Sequence, residues 1–229
     1  MGGPSGFDEP RGASAMSELV IAAPMRVESV LVGSASRRAN VHKTGMGPNR
    51  AKAAALALER KPGAALLVLG FCGGLDEHSR PGEVIVAERV TASADEGHAE
   101  TPVACADPHD LAAALRVRGI PVRIGEIVSV SKLALGERRA ELLAGGALAV
   151  DMESVWLAAG AAERPFAVVR VVLDSPSHEL LRPQALAGAL RAARTLRRVT
   201  GILRDWTPAP AGRPPTGARF SRTGQGNKV

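Results

Sequence analysis

The chain has 229 residues, 45% of them hydrophobic and only 3% aromatic, and a formal net charge of +6. That is enough for one α/β domain with a core of Ala, Val, Leu and Ile, and it leaves little for aromatic stacking on single-stranded nucleic acid. From Thr207 onward the charged residues are Arg213, Arg219, Arg222 and Lys228, so this tail supplies +4 of the +6 and no globally basic nucleic-acid surface is implied.

In chain order, residues 1–17 are rich in Gly, Pro, Ser and Ala and read as a disordered leader, with Met16 the better natural start. Residues 19–23 predict a short apolar strand ending at Pro24, and residues 27–32 begin the next element. A Gly-rich turn over 44–50 opens a helix over 50–60, which is full of strong helix formers. Residues 64–69 predict a buried strand running into a glycine turn at 70–74, and 83–89 a second strand introduced by Pro81-Gly82. An Ala/Leu helix follows over 110–118, a strand over 122–130, a helix over 137–143 and a short strand over 148–150. Residues 154–162 predict an Ala-rich helix. Residues 167–173 predict a strand covered on both faces, because the run is almost wholly apolar. An amphipathic Arg/Ala/Leu helix spans 183–205, and residues 207–229 read as a disordered basic tail. Strands alternating with helices predict a single α/β domain over 18–206 with a largely parallel sheet.

Cys72 and Cys105 form no disulfide framework and fit a reducing cytoplasm. No run approaches the ~20 apolar residues that span a bilayer, and no signal peptide is evident. The tail admits a weak contact with anionic lipid, as the lesser reading.

Three carboxylates stand out. Glu28 lies just past the first strand and could serve as a general base toward water; an exposed acid in the first helical turn is the commoner reason for such a residue. Glu153 follows Met152 at a helix start. A carboxylate there can accept bonds from both hydroxyls of a cis-diol while the thioether packs on the sugar, although a first-turn acid beside a core Met explains the pair equally. Asp174 ends the strongest apolar strand, where ligands sit in open α/β sheets; its plain alternative is a cap for the next turn. Asp151 reads as a supporting residue. The histidines at 42, 78, 98, 109 and 178 lack metal-ligand spacing. No nucleophile elbow surrounds Ser129 or Ser131, and the glycine turns spell neither a P-loop nor a Rossmann fingerprint.

The order of these pieces resembles the nucleoside phosphorylase and nucleosidase superfamily. The likeness rests on Ala23-Pro24-Met25-Arg26-Val27-Glu28, Thr44-Gly45-Met46-Gly47, Gly70-Phe71-Cys72-Gly73-Gly74-Leu75 with Pro81-Gly82-Glu83, Val150-Asp151-Met152-Glu153, and Arg170-Val171-Val172-Leu173-Asp174. It implies a three-layer fold around a central mixed sheet. Within the superfamily the chain looks like the bacterial adenosyl nucleosidases, and most like the hopanoid-associated subgroup, through residues 147–154 and 170–183. The implied substrate is adenosylhopane, a lipid-linked nucleoside.

The resemblance implies catalytic roles for Glu28, which would activate water, and Asp174, which would protonate N7 of the purine. It places Met152 on the ribose, Glu153 on its hydroxyls, and Leu133 and Ala134 at the base, with Phe71 and Gly73 also on the substrate. It implies a homodimer with no metal or organic cofactor. Phosphorylases carry Ser and Arg where this chain has Phe71 and Val68. Buried apolar residues cannot hold a dianion, so water is expected as the nucleophile. Leu173 and Ser131 stand where nucleosidases are commonly polar. A phosphate-dependent phosphorylase, a methylthioadenosine, adenosylhomocysteine or futalosine nucleosidase, and a non-catalytic nucleoside-binding protein remain alternatives.

Overall fold

The two longest apolar runs become neighbouring strands at the middle of a mixed sheet that has eight strands among the described residues. The computed structural model describes residues 19–35, 40–96, 101–178 and 185–208. The strands are β1 (Leu19–Ala23), β2 (Asn40–Lys43), β3 (Ala65–Gly74), β4 (Val84–Ala92), β5 (Val103–Ala104), β6 (Val122–Ser129), β7 (Ala149–Asp151) and β8 (Phe166–Asp174). The described helices are α1 (Arg26–Ala35), α2 (Pro48–Glu59), α3 (Pro108–Arg116), α4 (Glu137–Ala144), α5 (Ser154–Leu157) and α6 (Ala185–Leu203).

The sheet runs β2-β1-β3-β7-β6-β4-β5, and β8 pairs with both β3 and β4. Strands β3, β8, β4, β6 and β7 therefore close into a ring. Most pairings are parallel; β3 with β7, β4 with β5 and β4 with β8 are antiparallel. The period-2 alternation of each strand splits the core in two. Leu67, Leu69, Val169 and Val171 face α1, α3 and α6, whereas Leu66, Val68, Val168 and Val172 face α2 and α5. The result is the expected single-domain, three-layer α/β arrangement with a mixed, largely parallel sheet. Among the described residues no helix is long and apolar enough to cross a membrane.

Several expectations are corrected. Residues 70–74 are not a turn but the second half of β3. Glycine there lets neighbouring side chains lie against the strand. The helix expected over 154–162 stops at Leu157 and tightens into a 3₁₀ turn, Ala158–Ala161. Edge strands β2 and β5 carry no apolar run and were not expected. The expected leader, residues 179–183 of the subgroup likeness and the tail beyond Pro208 lie outside the described residues.

The strand order has one consequence for function. Gly73 pairs with Val150 of β7 on one side and, after a register slip past Cys72, with Asp174 of β8 on the other. One glycine thus draws the 151–153 segment and Asp174, far apart in sequence, to opposite flanks of β3.

Candidate active site

Glu28 sits in the first turn of α1, directly after β1, yet it is 1% exposed. The ordinary explanation of a solvated helix-start acid therefore fails. Its carboxylate turns inward: Oε2 accepts from the Met25 N–H and Oε1 from the Phe71 N–H, both at 2.5 Å. Burial raises its pKa above the usual carboxylate value, against the opposing pull of Arg170 and these two N–H groups.

Arg170 interrupts the apolar run of β8 and is wholly buried. Its Nε donates to Asp151 Oδ2 at 2.9 Å, and its Nη2 lies 2.7 Å from the same oxygen and 3.5 Å from Glu153 Oε2. Among the described residues its Nη1 is buried with no hydrogen-bond partner. An isolated buried guanidinium is heavily penalised, and this one is compensated by the acids around it. Asp151 is the hub. It accepts from Ser129 Oγ at 2.6 Å, from the N–H groups of Glu153 and Ser154, and from Ser154 Oγ. Burial works against its charge, but Arg170 and these donors hold its pKa below the usual range.

Glu153 precedes α5, with its Oε1 accepting from the Gly47 N–H at 3.1 Å. That bond ties the 44–47 turn to the 151–153 segment. Burial pushes its pKa up to about 7, with Asp151 and Glu28 reinforcing and Arg170 opposing.

Gly70 pairs in register with Arg170. A Cβ on it would lie 2.4 Å from Glu28 Oε1 and 2.6 Å from Arg170 Nη1, so the strand must be bare where these groups meet. Gly70→Ala is expected to lower stability by about 1–3 kcal/mol through overpacking and to displace Glu28. A urea unfolding midpoint unchanged from wild type would contradict this.

A second set of residues forms a small open pocket beside this cluster. It is lined by Gly73, Leu133, Ala134, Arg139, Met152 and Asp174, with Val130, Val150 and Asp151. Gly73, Leu133, Ala134, Met152 and Asp174 are thus brought together at one pocket, with Leu133 63% exposed at the rim. Glu28 and Glu153 belong to the neighbouring acidic cluster, and Asp151 touches both. Phe71 is half-buried rather than buried. Its ring packs against the α1 and α6 side of the core, and its N–H bonds Glu28. Val68 is fully buried on the opposite face.

Arg170 and Arg139 were given no role from the sequence. A lone Arg inside an apolar strand was a visible signal for the first. Arg139 had none, because it lies in a polar helix that reads as solvated. The structure buries it against Asp174, with Nη2 2.5 Å from Oδ2.

A family model described as the phosphorylase superfamily matches residues 15–201. No match was found among curated proteins. Among solved structures, the fold is similar to that of the futalosine hydrolase of Helicobacter pylori strain 26695, with a TM-score of 0.70 and 16% identity over 83% of this chain and 98% of that one. It is similar too to the 5′-methylthioadenosine/S-adenosylhomocysteine nucleosidase from Neisseria meningitidis in complex with methylthio-immucillin-A, with a TM-score of 0.67 and 18% identity over 81% and 99%. The S-adenosylhomocysteine nucleosidase from Streptococcus pyogenes in complex with 5-methylthiotubericidin gives a TM-score of 0.65 and 20% identity over 84% and 99%. At these identities the likeness is one of fold.

Proposed function

The chain belongs to the phosphorylase superfamily, and from that premise we propose that it is a nucleosidase that hydrolyses the N-glycosidic bond of a 5′-substituted adenosine and releases adenine. Adenosylhopane is the substrate to which the sequence resemblance points. The observation that carries the reading is the meeting of Glu28, Glu153 and Arg170 in one buried cluster beside a pocket that ends in Asp174.

The base occupies the pocket, with Leu133, Ala134 and Met152 against it and Asp174 at the N7 edge. Glu153 accepts bonds from the ribose hydroxyls, and Met152 packs on the sugar. Cleavage of such a bond passes through an oxocarbenium-like transition state. Proton donation from Asp174 to N7 lets adenine leave as a neutral base. Glu28, whose pKa burial raises above the usual carboxylate value, takes a proton from the water that attacks C1′. Nη1 of Arg170, without a hydrogen-bond partner among the described residues, lies with Glu28 Oε1 against the bare Gly70 position and would offer that water a donor.

The cluster also argues against phosphate as the nucleophile. A dianion would enter a group of three carboxylates and one guanidinium, and no hydroxyl or second cation is supplied from positions 68 and 71. The test is product analysis with 5′-methylthioadenosine in buffer free of phosphate and in buffer containing it. Adenine and free methylthioribose at equal rates in both support the reading. A strict need for phosphate with formation of the sugar 1-phosphate would sink it.

A pH dependence follows from the raised pKa values. Both Glu153, at about 7, and Glu28 take up protons as pH falls, and both act as acceptors in the reaction. The expected kcat/KM therefore drops toward acid pH with a slope between one and two protons. Glu153→Gln limits that slope to one. Folding stability runs the other way for Glu153. Its folded pKa is raised, so its contribution is full at acid pH and is lost as pH climbs from 4.5 through about 7. A pH profile of Glu153→Gln that overlays the wild type after scaling would contradict the assignment.

A further inference from the structure

The charge of the domain is unevenly placed. Helix α6 carries Arg191, Arg194, Arg197 and Arg198 and no acid. The tail takes +4 of the net +6, and these four arginines exceed the remainder, so the rest of the chain is net negative. All four are exposed. Arg89, Arg123 and Arg138 each meet an acid, whereas among the described residues Arg191, Arg194 and Arg197 meet none. Asp205, beyond the end of the helix, is taken by Arg204.

The same face is apolar at one end. The buried side of α6 is Ala192, Leu196, Val199 and Leu203; at helical spacing Leu186, Leu190, Arg194 and Arg197 share one outward stripe. Leu186 is 71% exposed and Leu190 48%. Arg198 Nη2 donates to the Arg118 carbonyl at 2.9 Å, which sets the end of α3 and the 84% exposed Val117 beside the helix. Cations interleaved with exposed aliphatic side chains suit the boundary of a bilayer, where anionic headgroups take the guanidinium groups and the acyl region takes the leucines. A nucleic-acid backbone would use the arginines alone, and among the described residues this face exposes no aromatic on which a base could stack. The apolar end of α6 lies at the sheet end that carries Asp174: a Cβ on Gly82 would lie 2.9 Å from Arg191 Cγ, and the Gly82 N–H donates to the Val172 carbonyl at 2.8 Å.

We propose that the exposed face of α6, with the end of α3, docks on an anionic lipid surface. The experiment is sedimentation of the full chain with vesicles of phosphatidylcholine alone and of phosphatidylcholine mixed with phosphatidylglycerol. Each arginine near an anionic surface is worth about fivefold in binding, so the wild type is expected to bind the mixed vesicles at least about 100-fold more tightly than the neutral ones. The double variant Arg194→Glu, Arg197→Glu keeps the tail and is expected to lose at least about tenfold on the mixed vesicles. Leu190→Gln is expected to weaken vesicle binding by about threefold or more and to leave binding to a single-stranded RNA homopolymer unchanged. Equal binding to both kinds of vesicle overturns the proposal. So does unchanged binding of the double variant, which would make the tail responsible. Tighter binding to the RNA than to the mixed vesicles, with no effect of Leu190→Gln on the vesicles, overturns it in favour of a nucleic-acid surface. Should a variant fail to fold, amide hydrogen exchange of the wild type on mixed vesicles decides: added protection in α6 and at the end of α3 supports the docking face, and protection confined to residues 209–229 overturns it. Vesicle binding is independent of turnover, so its failure leaves the nucleosidase reading untouched.

Discussion

Asp174→Asn is expected to lower kcat on a 5′-substituted adenosine by about 10²–10⁴-fold, the usual worth of a positioned general acid. The amide matches the carboxyl in size and can still donate a hydrogen bond to N7, but it cannot transfer a proton. The substitution also removes the partner of Arg139, whose Nη2 lies 2.5 Å from Asp174 Oδ2 with both groups buried. Breaking a buried pair from one side costs about 3–5 kcal/mol, so a lower Tm is expected alongside the lost activity. The two effects separate by temperature. At a temperature where circular dichroism shows the variant fully folded, the kcat loss should persist. Wild-type turnover in the folded variant would remove Asp174 from the mechanism.

Glu28→Gln is expected to cost a similar 10²–10⁴-fold in kcat, with KM little changed. The split follows from the geometry. Glu28 lies in the acidic cluster and not among the residues that line the base pocket, so its loss should touch the nucleophile more than binding. The Gln side chain retains one acceptor oxygen where Glu28 now serves two N–H groups, Met25 and Phe71. One of these would face an amide donor, a loss of about 1–3 kcal/mol in stability. A raised KM with unchanged kcat would show that Glu28 binds substrate without activating water.

Much of this arrangement is legible in the sequence, and the parts that are not share a physical reason. Strand β1 is bounded as expected at residues 19–23, and β8 differs from expectation by one residue at each end, because continuous apolar runs cut by Pro24 or ended by Asp174 leave little choice. Edge strands β2 and β5 were invisible because their order comes from ladder bonds to β1 and β4, not from side-chain pattern. The 70–74 segment reads as a turn by composition. It is a strand because it pairs with β8 and β7, and Gly70 and Gly73 are bare because Glu28, Arg170 and Arg139 occupy the space that side chains would fill. The burial of Glu28 is likewise tertiary. Nothing local distinguishes it from a solvated first-turn acid until β3 delivers the Phe71 N–H. Arg170 is legible in the sequence, since a guanidinium inside an apolar strand demands partners and Asp151 and Glu153 are the nearby candidates. Arg139 is different in kind: only the fold reveals that a residue in a polar helix reaches the end of β8.

On the proposed reading, the separation of the acids into two neighbouring groups gives each a distinct task. The cluster around Arg170 is rich in negative charge and suits a developing cation at C1′. The pocket ending in Asp174 and Arg139 suits the polar edge of a planar base, with apolar walls from Leu133, Ala134 and Met152.

One nucleoside bridging these two groups would be seen in a crystal structure of the Glu28→Gln protein with an intact 5′-substituted adenosine. N7 is expected within about 2.6–3.2 Å of Asp174, the range of a proton-transferring contact, with the ribose hydroxyls on Glu153 and C1′ facing residue 28. A purine bound away from Asp174, or ribose hydroxyls turned from Glu153, would contradict it.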